Sequence, residues 1–395
     1  MEIRIINTIE ELYSLELSWD MLHRQAAGSI FLTFQWIVVW WNIYSLPSYQ
    51  LRVVTLRHEN ILIGILPMFL ETINLGMVKI KRLRFLGVYE TYGEYCPLIH
   101  PDFKKEALQA SVAFFRDEID KKHCDLISFF RFPQNSDFMQ RVIQELQSDD
   151  LYVSYTPHCI DRVMMELPHS WEEYINSLSP NEQKMLARRS RSLFKNSVEL
   201  ETLQNSEYTE GDFDDFVRLH TASWTQRGMR GYFGSSSRFE KFQRNIISLM
   251  IEKNMARLYF LKKDNVRFAG VSMFYSNGQC HFYLSGLDRK HPLVNQSPGK
   301  VLLSLVIKKA IEENYMIFDF QGGSEQYKFQ LGGKQTAFSK AIIAKKGLPL
   351  TKVYLLLCMQ SLYRFVFETL WENTILRSSR MLSKAVKNRS NHHEQ

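Results

Sequence analysis

The sequence predicts a mixed α/β protein, α+β with mixed sheets, in which two units stand in tandem ahead of a helical tail. Three observations carry that prediction. The chain has 395 residues, and domains run to ~100–200 residues each. Helix-period and strand-period apolar patterns alternate in both halves. Residues 167–347 run four helices, meander, helix, strand, strand, and residues 1–166 repeat the mixture more loosely. From residue 348 to 395 the pattern is strongly helical and ends basic.

The first unit opens with "IEELYSLELSWDMLHRQ", where Leu12, Leu15, Trp19 and Leu22 keep helical spacing. "FQWIVVWWNIY" does the same through Trp36, Val39, Trp40 and Ile43. "LRVVTLRHEN" and "ILIGILPMFLE" read as two apolar strands around a polar turn at His58–Asn60. "RLRFLG" is a strand, "KKEALQASVAFFRDEID" a helix and "CDLISFFRF" a strand. "SDFMQRVIQELQ" is a helix opened by a capping Ser-Asp, and "VSYTPHCIDRVMMEL" returns as a strand.

The second unit begins with two helices divided at Ser179-Pro180, where proline suits the first helical position. "EGDFDDFVRLHTASWTQRG" is a helix with an acidic first turn and Gly228 near its end, and "SRFEKFQRNIISLMIEKNM" is the next. "ARLYFLKKD", "FAGVSMFYSNG" and "QCHFYLSGL" form an antiparallel meander through tight turns at Asp264-Asn265 and Asn277-Gly278. "SPGKVLLSLVIKKAIEEN" is a helix with Pro298 in its first turn, followed by the strands "MIFDF" and "FSKAIIAKK". In the tail, Gln360, Arg364, Glu368 and Glu372 form a polar stripe on a broadly apolar helix. Packing on the body or on another subunit is its first reading, and a membrane-surface anchor its second. Arg364 and Glu368 argue against a span.

Hydrophobic residues make up 45% and charged residues 23%, which suits a globular chain rather than a disordered one. The net charge of +7 favours anionic partners: phosphates, nucleotide-containing cofactors, RNA or anionic lipid. Five cysteines without a close pair point to a reducing compartment and free thiols. The opening residues are acidic and lack the apolar core of a secretory signal. No apolar stretch reaches the ~20 residues of a spanning helix. A cytoplasmic location is therefore expected. The histidines show no metal-ligand spacing, so no metal is expected.

Chemistry concentrates in two places. The helix start "QSPGKVLL" follows directly on the strand "HFYLSG". Free N–H groups at a helix start attract anions, Gly299 allows close approach and Lys300 adds charge. Ser297, Gly299 and Lys300 thus form a candidate pyrophosphate cradle, or simply a Pro-initiated helix. The second place is "IFDFQGGSEQYKFQLGG", where an apolar run ends in an Asp and passes into paired glycines and chargeable residues. A further basic run places Lys184, Arg188, Arg189, Arg191 and Lys195 on one short helix. Such a run is a solvated face, or a site for phosphate, an anionic sugar or RNA. His281 alternates with Tyr283 on a meander strand and faces either the cleft or away, while Cys280 has no evident base beside it.

The ordered set "RLHTASWTQRGMRGYF", "FYLSGLDRK", "SPGKVLLSLVIKKAIE" and "FDFQGGSEQYKFQLG" resembles the GNAT acyltransferase superfamily, and more narrowly its CelD-like (cellulose-biosynthesis) branch. The likeness covers Trp171 to Lys346. The first unit looks like a degenerate N-terminal GNAT-like half through "FQWIVVWWNIY" and "RLRFLG". One departure stands out: after "DF" the family pattern usually has Arg-Gly, whereas this chain has Gln321-Gly322-Gly323.

The resemblance implies tandem GNAT-like acyltransferase domains and transfer from acetyl-CoA or a longer acyl-CoA to an amine or hydroxyl. The implied acceptor is a small molecule or glycan: a cell-surface glycan, amino-sugar or lipid precursor. Backbone N–H groups of Leu284, Ser285 and Gly286, beside a splayed strand, would hold the thioester carbonyl, an effect worth ~3–4 kcal/mol when well placed. Glu325 would take the acceptor's proton if burial raises its pKa, and Tyr327 would return one to the thiolate. Asp319 is the third candidate catalytic group, with pairing to an Arg or capping of a helix as its alternative. Lys328 would bind an anionic part of either substrate, and His220, Trp224 and Arg227 would line the acceptor pocket. Contact with an acyl-carrier protein or the inner membrane face fits the same setting. Fem-type enzymes, which take aminoacyl-tRNA, share the tandem layout and are the alternative, together with a GNAT-like body that binds without catalysing.

Overall fold

The computed structural model describes residues 1–87, 91–229, 231–347, 349–352, 354–356 and 358. The tail's stripe from Gln360 to Glu372 lies outside the described residues. The first part of the chain forms β1 (Glu2–Ile6), α1 (Ile9–Tyr13), α2 (Glu16–Gln25), α3 (Phe34–Tyr44), β2 (Tyr49–Leu51), β3 (Val53–His58), β4 (Ile61–Leu66), β5 (Met68–Leu75), β6 (Val78–Phe85), β7 (Leu98–Ile99), α4 (Lys104–Asp120), β8 (Leu126–Pro133), α5 (Asp137–Glu145) and β9 (Leu151–Glu166). There follow α6 (Trp171–Ser177), α7 (Pro180–Lys195), β10 (Glu199–Leu203), α8 (Glu210–Thr225), α9 (Ser237–Glu252), β11 (Ala256–Lys263), β12 (Val266–Ser276), β13 (Gln279–Leu287), α10 (Pro298–Glu312), β14 (Ile317–Gly322), α11 (Gln326–Gln330) and β15 (Lys334–Lys345).

The strands make a four-stranded sheet, β1-β3-β4-β7, and an eleven-stranded sheet, β10-β11-β12-β13-β14-β9-β15-β8-β6-β5-β2. "ILIGILPMFLE", expected as one strand, is two. Pro67 has no N–H to give to a ladder, so the chain leaves the small sheet there and enters the large one, with Pro67 O accepting from Leu86 N at 2.8 Å. The long helix expected from Leu12 to Leu22 also divides: Ser14 Oγ turns back onto Glu11 O at 2.6 Å, and α2 starts afresh. Strands β1, β2, β7 and β10 are short elements that the apolar patterns did not reveal.

The large sheet runs across the 166/167 division without a break. β9 pairs with β14 on one side and with β15 on the other, and β15 lies between β9 and β8. Trp36 of α3, fully buried, joins the halves: its ring meets Phe31, Phe242 and Phe274 edge-on at 4.9, 5.1 and 5.3 Å. Edge-to-face pairs of this kind add ~0.5–1.5 kcal/mol each beyond the area they bury.

Two features position the site. First, β13 and β14 run parallel but pair over only Gln279↔Ile317, Cys280↔Phe318 and His281↔Asp319, after which they diverge. Second, β13 carries a bulge: Ser272 of β12 faces Leu284 and Met273 faces Phe282, so Tyr283 is the extra residue. Helix α8, which covers this region, is well started. Thr209 N donates to Asp212 Oδ2 at 2.7 Å in a capping box.

Candidate acyl-transfer site

A pocket of about 300 Å³ opens where β13 leaves β14. Helix α8 gives it His220, Trp224 and Arg227, and β13 gives Leu284 and Ser285. The segment after β14 gives Glu325, Tyr327 and Lys328. The bulged Tyr283 forms part of the wall, its hydroxyl donating to Thr91 O at 2.6 Å and accepting from Gln243 Nε2 at 3.0 Å. The first half of the chain thereby buttresses the bulge.

Helix α8 lies directly on β13. A Cβ at Gly286 would stand 2.5 Å from His220 N and 2.6 Å from Leu219 C. The missing Cβ of Gly286 therefore makes room for the protein's own helix. At this contact His220 Nδ1 donates to Ser285 O at 2.8 Å, and Ser223 Oγ accepts from Leu287 N at 2.8 Å. Leu284 N donates to Ser272 Oγ at 3.3 Å, so it is not a free donor for a substrate carbonyl, which corrects its expected role.

A carbonyl oxygen only accepts, so the Ser285 bond requires the proton of His220 on Nδ1 and leaves Nε2 a bare lone pair. That Nε2 is buried and has no partner among the described residues. The ring is 2% exposed and enclosed by Tyr232, stacked at 5.8 Å, and Phe233, edge-on at 5.0 Å. Burial pushes the imidazole's pKa down to about 4. His220 is thus a neutral, oriented imidazole at physiological pH.

The turn after β14 has a local cause. Gln321 and Gly323 both adopt positive φ, 61° and 97°, and the second of these suits a residue without Cβ. Lys328 Nζ holds the turn by donating to Gly322 O at 2.7 Å, Gly323 O at 3.3 Å and Glu325 Oε2 at 2.8 Å. An ammonium has three donors, and all three are used in a side chain that is 2% exposed. Lys328 is a staple of the turn rather than a ligand for an anionic substrate, as was expected of it. Glu325, by contrast, has a side chain 57% exposed and paired with Lys328. The burial on which its role as base rests is absent. Tyr327 lines the pocket, and its hydroxyl has no hydrogen-bond partner among the described residues. Burial, with the Glu325 charge adding to it, pushes this phenol up, so it holds its proton at neutral pH.

Asp319 does not face the pocket chemistry. It is fully buried and accepts from Arg162 Nη2 at 2.6 Å, Gln321 N at 2.8 Å and Gln321 Nε2 at 2.6 Å. Burial alone would raise its pKa, but the Arg162 charge and the hydrogen bonds from His281 and Arg162 outweigh it and hold the carboxyl well below the usual range. Arg162 also pairs with Glu94 at 2.6 Å and lies over the Phe338 ring at 4.8 Å. Asp319 is the centre of a buried ion cluster. Gln321, standing where the family pattern has Arg, joins that cluster through its amide. His281 is fully buried against Phe31 at 5.3 Å and so faces the first half of the molecule.

The start of α10 is narrower as an anion cradle than its sequence suggests. Pro298 has no N–H, and Lys300 N and Val301 N both return to Ser297 O at 3.1 Å. Gly299 remains, and a Cβ there would meet nothing within 4 Å. Lys300 is engaged by Glu182 and by Gln330 Oε1, the latter at 2.8 Å. Those contacts set the helix start against α11, the carrier of Tyr327. Helix α7 supplies a further group that sequence reasoning noted only as part of a basic run: Arg189 Nη1 donates to Gln296 Oε1 at 3.0 Å, and its buried Nε has no partner among the described residues. Gly299 and the Nε of Arg189 are thus what remains near this helix start for a proposed phosphate contact.

Residues 181–329 match the family model described as an acetyltransferase (GNAT) domain. No curated protein resembles the chain closely enough to match. Among solved structures, the crystal structure of FemX superposes with a TM-score of 0.61 at 10% identity, over 89% of this chain and 99% of that one. L-PGS from Bacillus licheniformis gives a TM-score of 0.48 at 12% identity, over 88% of this chain and 96% of that one. A tandem GNAT protein from the clavulanic acid biosynthesis pathway gives 0.42 at 11% identity, over 88% and 99%. The chain has a GNAT-type fold, and residues 181–329 resemble the acetyltransferase (GNAT) domain family.

Proposed function

We propose that the protein transfers an acyl group from a thioester to an amine or hydroxyl held in the His220–Tyr327 pocket. The observation that carries this reading is the bare Nε2 of a neutral, oriented histidine where β13 parts from β14. The acceptor attacks the thioester carbonyl, its N–C or O–C bond forms, and its proton passes to His220 Nε2. The C–S bond breaks, and the leaving thiolate takes the proton of the Tyr327 hydroxyl. Gly299 and Arg189 would hold a phosphate of the donor, for which acetyl-CoA or a longer acyl-CoA is the proposed source. The rest of the catalysis is positioning, which supplies a large part of many acyl-transfer barriers.

For the acceptor we propose a cell-surface glycan, amino-sugar or lipid precursor, in keeping with the CelD-like motifs. A second reading is supported by the FemX superposition over 89% of the chain: the donor is an aminoacyl-tRNA, and the basic face of α7 meets its RNA. Titration calorimetry with acetyl-CoA, a long-chain acyl-CoA and aminoacyl-tRNA separates the two. Binding of an acyl-CoA that weakens in Arg189→Ala supports the first reading. Binding of the tRNA alone replaces it with the second.

A further inference from the structure

A second concavity, of about 400 Å³, lies elsewhere on the large sheet, between β6, the end of α4 and the end of β15. Strand β6 is five strands from β13 in the sheet order, or ~24 Å at ~4.8 Å per strand. Its rim carries Lys79, Lys81, Lys122, Lys345 and Lys352, and its apolar floor includes Ile119 and Cys124. Asp125 pairs with Lys352 at 2.9 Å and Asp120 with Lys345 at 2.7 Å. Lys79, Lys81 and Lys122 have no carboxylate partner among the described residues.

Apolar side chains stand beside these free charges. The turn Gly76–Met77 joins β5 to β6, and Met77, two residues before Lys79, is fully exposed. Tyr354 and Leu355 are exposed just beyond Lys352, while Leu356 packs inward on Ile80, Leu126 and Ala344. Exposed apolar groups at the edge of a lysine cluster suit the boundary of an anionic bilayer, where the lysines meet phosphates and the apolar tips enter the headgroup layer. RNA would engage the lysines but offers nothing to Met77.

We propose that this face docks the protein on an anionic lipid surface, with Lys79, Lys81 and Lys122 on the headgroups and Met77 inserted. The test is flotation of the full chain with phosphatidylcholine vesicles, with and without phosphatidylglycerol. The wild type is expected to float only with the anionic vesicles. Lys79→Gln, Lys81→Gln and Lys122→Gln together should lower the partition coefficient about fivefold per lysine, on the order of 100-fold in all. The corresponding three Lys→Arg changes should retain binding, and Met77→Ser should weaken it. His220→Gln, far from this face, should float as the wild type does. A triple Gln variant that floats unchanged overturns the proposal. So does a wild type that ignores anionic vesicles, or one that binds an RNA oligonucleotide in their place.

Discussion

Nδ1 of His220 lies 2.8 Å from the carbonyl oxygen of Ser285. This bond ties α8 to β13 at the point where β13 has left β14, and it fixes the tautomer of the one histidine that lines this pocket among the described residues. Everything proposed about proton transfer depends on it.

Replacing His220 by Gln removes the proton acceptor while keeping a polar group of similar reach. General acid–base groups contribute ~10²–10⁴-fold, so kcat should fall at least about 100-fold. Donor affinity, measured by calorimetry, should stay within about twofold, because the phosphate contacts lie on other elements.

The same residue should leave a signature in stability. In the unfolded chain a histidine titrates near 6.5, whereas folded His220 titrates at about 4. Between those values the unfolded state binds a proton that the folded state refuses, so stability falls as pH drops through that window. The full loss is on the order of 3 kcal/mol. Urea unfolding at about pH 7 and about pH 4.5 should show a steeper loss for the wild type than for His220→Gln.

Tyr327→Phe tests the proton donor. Its hydroxyl bonds to nothing among the described residues, so the change should alter stability by less than about 0.5 kcal/mol. Turnover should nevertheless fall about 100-fold. Equal turnover in the two proteins would remove Tyr327 from the chemistry.

Asp319→Ala should behave in the opposite way. It leaves Arg162 buried with Glu94 alone, and breaking a buried ion pair costs ~3–5 kcal/mol. Thermal unfolding should show a large drop in Tm. A folded, fully stable and inactive Asp319→Ala protein would restore Asp319 as a catalytic group.

Much of this arrangement was legible in the sequence. The helix starts at Ser136 and Ser179 and the meander turns lie in short-range patterns, and the structure has them. The grouping of His220, Trp224 and Arg227 with Tyr327 in one pocket is what the family resemblance implied. What the sequence hid is long-range. Arg162 reaches Asp319 across 157 residues only because β9 pairs with β14, and no local spacing records that. Gly286 signals that a backbone comes close, but not that it is α8. Lys328 reads as a free cation because the carbonyls that bind it exist only once Gly322 and Gly323 have turned.

The most direct measurement is a crystal structure with a thioether analogue of acetyl-CoA. The account predicts a phosphate at Gly299 and Arg189 and the acyl carbonyl between Ser285 and Tyr327, within reach of both proton-transfer groups. A ligand bound with its acyl end away from the opening between β13 and β14 would contradict it.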